Sequence, residues 1–133
     1  TQPESSAASD VYKRQECPVR HGEGRFVMPS TSDLDALDKN SQIVTRYVDP
    51  STNPGEGMTD ETLPFPICPN GSVRNIAGIC DPTGLVFGLM PHPEAAYATF
   101  LHPHHTRGEV NDVLMSETMQ IFTNAVEYVR ANL

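Results

Sequence analysis

Five prolines (Pro50, Pro54, Pro64, Pro66, Pro69) and three glycines (Gly55, Gly57, Gly71) fall between Asp49 and Ser72. A stretch so punctuated cannot run as a helix or an interior strand, because each proline lacks the N–H that a helix or ladder needs. It shows neither period 2 nor period 3.6, so regular structure must come from its flanks. A loop of this length in a compact domain is usually functional or disordered. With 133 residues, 38% hydrophobic content and no Trp, the chain has room for one domain with a modest core.

On the N-terminal flank, Val19, Phe26 and Val27 surround His-Gly-Glu-Gly and predict a strand over 18–27, with the glycines marking a bulge. Ser30, Thr31 and Ser32 offer N-cap hydroxyls, Asp33 and Asp35 fall in the first turn, and Leu34 and Leu37 share a face. These predict a short helix ending near Asn40. The β-rich run QIVTRYVD, closed by Asp49-Pro50, predicts a strand.

On the other flank, NIAGICD and LVFGLMP are joined by Asp81-Pro82-Thr83-Gly84. Proline second and glycine fourth suit a type I turn, which predicts a hairpin. Met115, Met119, Phe122, Val126, Val129 and Leu133 recur at spacings of 4, 3, 4, 3 and 4, which predicts an amphipathic docking helix. Residues 1–16 are rich in Ser, Ala, Gln and charge and read as an unrelated or disordered tail; SDVYKRQ within them also reads as a read-through or assembly scar.

Charge excludes some partners. Nine Lys+Arg against 17 Asp+Glu give a net charge of −8, which leaves no surface to track nucleic-acid phosphates or an anionic membrane. No apolar run approaches the roughly 20 residues that span a bilayer. Cys17, Cys68 and Cys80 are odd in number and widely spaced, so reduced thiols and a cytoplasmic setting are expected.

The strongest chemical signal is GLMPHPEA, where an apolar strand runs into Pro91-His92-Pro93-Glu94. In extended chain, residues two apart project to one side, so His92 and Glu94 can serve one site just past the strand. A histidine oriented by a carboxylate is the base half of a nucleophile–base–orienter system. The same residues also read as a proline turn that merely exposes two polar groups.

The wider sequence resembles the class I glutamine amidotransferases, and among them the glutaminase domain of phosphoribosylformylglycinamidine synthase. The resemblance rests on PVRHGEGRFV at 18–27, QIVTRYVD at 42–49, PNGSVRNIAGICDPTGLVFGLMPHPEA at 69–95 and FTNAVEYVR at 122–130. It implies an α/β fold, with residues 17–133 forming the C-terminal part of a flavodoxin-like amidotransferase domain. It further implies His92 as general base and Glu94 as its orienting carboxylate. Glutamine would be the substrate, and ammonia would pass to a synthetase partner in purine biosynthesis. ATP and Mg would be used by that synthetase portion, and this segment would bind no cofactor. In the family the nucleophilic cysteine stands on a Gly-rich turn upstream of HGEG; that element is not found here, so the segment is expected to be inactive alone.

The remaining candidates divide between functional and structural readings. His21 and Glu23 of HGEG either face the glutamine pocket or the synthetase partner, or are surface groups on a bulge. Cys80, in an apolar run, reads as buried and inert; Cys68, between Ile67 and Pro69, lacks elbow glycines, and Cys17 immediately precedes a strand and follows a tail without family resemblance. His102, His104 and His105 in LHPHHTR invite a zinc reading, but Pro103 breaks helical spacing and adjacent histidines diverge in extended chain, which favours a solvated loop and no metal. Two alternatives to the glutaminase reading stand beside it: a noncatalytic module docking on a synthetase, and a metal-binding protein using the histidine loop.

Overall fold

The computed structural model describes residues 16–20, 22, 24–52, 59–107 and 117–132. They form two units, one of residues 22–90 and one of residues 16–20 with 91–132. Among the described residues no helix is long and apolar enough to cross a membrane. His21, Glu23, Met115 and Leu133 lie outside the described residues.

The first unit opens with helix α1 (Thr31–Lys39). Ser30 is its N-cap, in extended conformation, and its hydroxyl accepts from the Asp33 backbone N–H at 3.2 Å. This satisfies one orphan donor of the first turn. Leu34 is the buried residue of the helix, and Asn40 caps the C-terminal end by donating to the Ala36 carbonyl at 3.0 Å. Strands β1 (Ile43–Arg46), β2 (Ile76–Cys80) and β3 (Phe87–Leu89) follow. They form a three-stranded antiparallel sheet in the order β1-β2-β3.

The predicted hairpin is β2–β3. Gly84 donates to the Asp81 carbonyl at 3.0 Å and has φ +73°, a conformation that glycine adopts without strain. Gly78, at the centre of β2, answers a different need. A Cβ there would meet Thr45 Oγ1 at 2.6 Å and the Gly88 carbonyl at 3.0 Å, so β1 and β3 close on β2 only over a bare backbone. Ile76, Ala77 and Cys68 supply the apolar core beside it.

Residues 59–63 of the proline-rich segment are held by one amide. Asn75 is 1% exposed. Its Oδ1 accepts from the Leu63 N–H at 2.7 Å, and its Nδ2 donates to the carbonyls of Glu61 at 2.8 Å and Thr59 at 3.2 Å. A single buried side chain thus takes up backbone groups that a ladder would otherwise satisfy. Arg74 pairs with Asp35 at 2.6 Å and Asp60 at 3.4 Å, tying α1 to the same segment.

The strand predicted over 18–27 does not form among its described residues. Phe26 donates its N–H to Ser72 Oγ at 2.9 Å and accepts from the Val73 N–H at 3.1 Å. A hydroxyl takes the place of a ladder carbonyl, so the chain here is held in place without joining the sheet.

In the second unit, 3₁₀ turns cover Pro93–Ala96, Thr99–Leu101, His105–Arg107 and Glu117–Met119, before helix α2 (Gln120–Asn132). The apolar stripe of α2 is present, but Phe122, Val126 and Val129 are 45–50% exposed, so the predicted docking face is not covered among the described residues. The buried member near this end is Thr118, whose hydroxyl donates to the Ala96 carbonyl at 3.3 Å.

Candidate active site

Strand β3 ends at Leu89 and the chain reaches His92 three residues later. Pro93 stands at the first position of a 3₁₀ turn, where its fixed φ suits the turn and its missing N–H costs nothing. His92 is the N-cap, and its carbonyl accepts from the Ala95 N–H at 3.0 Å. Its own N–H donates to the Pro18 carbonyl at 2.7 Å. Both backbone polar groups of His92 are therefore fixed.

The turn brings the two side chains together. His92 Nδ1 lies 2.6 Å from Glu94 Oε1. The predicted pairing is present, although the expected geometry is corrected: the prolines set up a 3₁₀ turn, and curvature of that turn, not extended backbone, turns Glu94 back onto His92. The hydrogen bond from His92, with smaller help from the Glu94 backbone N–H and the Arg20 cation, outweighs desolvation and holds the Glu94 carboxyl below its ordinary value. With Nδ1–H donated to this carboxylate, Nε2 carries the lone pair, which is the tautomer a general base requires.

Cys17 is half-buried in the same unit and feels the charge of Glu94. Burial first, and that charge second, push its thiol up to about 11. A thiol raised in this way is a weak nucleophile at neutral pH. Cys68, 2% exposed, places its Sγ 3.6 Å from Asn70 Oδ1 in the first unit. Cys80 is only half-buried, against the expectation of full burial, because it stands at the mouth of the hairpin opposite Phe87, which is itself 37% exposed.

The histidine loop is organised by hydrogen bonds. His102 Nε2 meets Glu16 Oε2 at 2.6 Å, and its Nδ1 accepts from the His104 backbone N–H at 3.1 Å. Among the described residues no three His, Cys, Asp or Glu side chains converge to hold a metal ion. His21 and Glu23, the other site candidates, fall outside the described residues. An open cleft of about 230 Å³ on the β2–β3 face is lined by Phe26, Ile76, Leu89 and Met90 among others, and none of its lining residues is ionisable.

Sequence reasoning missed the supports of the pair. The Pro18 carbonyl is a backbone group and leaves no residue signature, and Glu16, which pairs with His102, reads from sequence as the last residue of a tail. Thr118, which braces the turn at Ala96, lies 22 residues downstream in a stretch read only for its apolar period.

Residues 1–129 match the model of the CobB/CobQ-like glutamine amidotransferase domain. The chain belongs to this family. The mixed helix and sheet of this amidotransferase chain are consistent with the α/β class I fold. It is 40% identical over 119 residues to phosphoribosylformylglycinamidine synthase subunit PurQ of Methanococcus maripaludis, covering 84% of this chain and 41% of that relative. It is 46% identical over 84 residues to the PurQ subunit of Thermomicrobium roseum, covering 63% of this chain and 31% of the relative. With the PurQ subunit of Archaeoglobus fulgidus the identity is 48% over 83 residues, covering 60% and 28%. The amidotransferase chain thus spans less than half the length of these curated relatives.

Proposed function

We propose that this segment supplies the general base and its orienting carboxylate to the glutaminase of a phosphoribosylformylglycinamidine synthase. The observation that carries the reading is the 2.6 Å His92–Glu94 pair on a turn just past a sheet strand, in a chain of the amidotransferase family. The similarity to PurQ subunits supports the choice of parent enzyme.

In this reading His92 Nε2 takes the proton of a cysteine thiol as the sulfur attacks the carboxamide carbon of glutamine. The imidazolium, stabilised by Glu94, gives that proton to the departing nitrogen, and ammonia leaves as the C–N bond breaks. A glutamyl thioester remains. His92 then takes a proton from water as its oxygen attacks the thioester, and returns it to the sulfur as glutamate departs. The thiol comes from a Gly-rich turn of the kind that the family resemblance implies, since the raised Cys17 thiol suits the task poorly. Ammonia passes to the synthetase partner, which would use ATP and Mg to supply the activation of the formamide oxygen of formylglycinamide ribonucleotide. The setting is cytoplasmic, in keeping with three free cysteines.

The test is complementation. Joining this segment to an upstream family segment that carries the nucleophile is expected to give glutamate release from glutamine that neither piece gives alone. Hydrolysis no faster than that of the separate pieces counts against the reading.

A further inference from the structure

His92 is held at its backbone by the Pro18 carbonyl, 2.7 Å from its N–H. Its φ of −113° and ψ of 81° lie outside the regular helix and strand wells. Residues 16–20, which supply that carbonyl, have no helix or strand of their own to keep them in place.

A second hydrogen bond anchors this strap. Glu16 Oε2 meets His102 Nε2 at 2.6 Å. The His104 backbone N–H points at His102 Nδ1 from 3.1 Å, so Nδ1 is an acceptor and the ring proton sits on Nε2, directed at Glu16. Hydrogen bonds run from the His104 amide through the His102 ring to Glu16, the chain continues from Glu16 to Pro18, and the Pro18 carbonyl accepts from His92. The same strap seats the half-buried Cys17 thiol and the Arg20 cation near Glu94.

We propose that residues 16–20 form a positioning strap for the general base, and that the Glu16–His102 pair is the clasp that holds it. The inference rests on the glutaminase reading of His92. Glu16 and His102 touch no reacting atom; they act by fixing where the Pro18 carbonyl stands. The Glu16 side chain is 82% exposed, and a pair so open to solvent adds little to global stability. Its loss therefore reads out at the turn.

The experiment uses the full-length glutaminase containing this segment, with glutamine hydrolysis followed at steady state. Glu16→Ala and His102→Ala are each expected to lower kcat by roughly tenfold, because small misplacements of a base are costly. KM for glutamine should stay within about twofold, since the clasp acts on positioning and not on substrate binding. The double variant should match the singles, as expected for two halves of one contact. Glu16→Gln, which keeps an acceptor for the Nε2 proton, should recover most of the loss. Exchange of the His92 amide hydrogen should quicken in both alanine variants, a readout independent of turnover. Unchanged kcat, fully multiplicative losses in the double variant, or a KM that rises in step with the fall in kcat overturns the strap. His92→Ala serves as the reference: if it hydrolyses glutamine normally, the glutaminase reading itself fails, whereas an inactive His92→Ala beside fully active clasp variants removes the strap alone.

Discussion

His92 Nδ1 at the N-cap and Glu94 Oε1 at the second position of a 3₁₀ turn stand 2.6 Å apart. The contact is local in sequence, so its geometry depends on the turn and on what holds the turn.

The Glu94 carboxyl reports on the contact. Its value in the folded chain is depressed, chiefly by the hydrogen bond from His92. A depressed carboxyl contributes stability above its unfolded value, near 4.3, and loses it as pH falls through the folded value. The affected window is therefore acidic, and nothing changes near neutrality. Carbon-detected NMR titration should find Glu94 below the ordinary range in the native chain and back within it in His92→Ala. Equal values in the two proteins would mean that the contact is not formed in solution.

Cys17 provides a chemical probe of the same neighbourhood. With its thiol at about 11, the thiolate fraction at pH 8 is lower than that of a free cysteine by roughly two orders of magnitude. Iodoacetamide should label Cys17 correspondingly slowly, and Glu94→Gln should speed the labelling by removing a like charge. Labelling of Cys17 at the rate of the denatured chain contradicts this.

Asn75 should be the most sensitive single position in the first unit. Asn75→Ala removes three hydrogen bonds to the backbone of residues 59–63, a loss of about 2–3 kcal/mol given that solvent reaches part of the freed backbone. Asn75→Asp keeps the acceptor for Leu63 but sets a carboxylate against two carbonyls, so it should be no better. Limited proteolysis near Glu61 is the direct measure, and a cleavage rate equal to that of the native chain contradicts the role.

These results explain what the sequence could disclose. Helix α1 and the β2–β3 hairpin were legible because their signals are local: the Ser30 cap, the Asp81-Pro82-Thr83-Gly84 turn, and apolar runs of the right period. The strand expected over 18–27 was misread because the Phe26 N–H goes to Ser72 Oγ, 46 residues away, and no local pattern records such a bond. Residues 59–63 of the proline-rich segment carry no pattern of their own because the bonds that hold them come from Asn75, a residue beyond its end. At the site, the identity of the pair was legible and its backbone was not. Pro91 and Pro93 are compatible with extended chain, but Pro93 is equally suited to open a 3₁₀ turn, and the Ala95 N–H to His92 carbonyl bond that closes the turn leaves no signature in the residues.

In the proposed glutaminase, His92 carries the proton in glutamine hydrolysis and Glu94 orients it. The most direct measurement is kcat for glutamine in the full-length enzyme bearing His92→Ala, with Glu94→Gln beside it. Removal of the base is expected to lower kcat by about 10²–10⁴-fold, the usual contribution of general acid–base catalysis, while Glu94→Gln gives a smaller loss because it keeps an acceptor for Nδ1–H. Undiminished hydrolysis by His92→Ala would contradict the assignment outright.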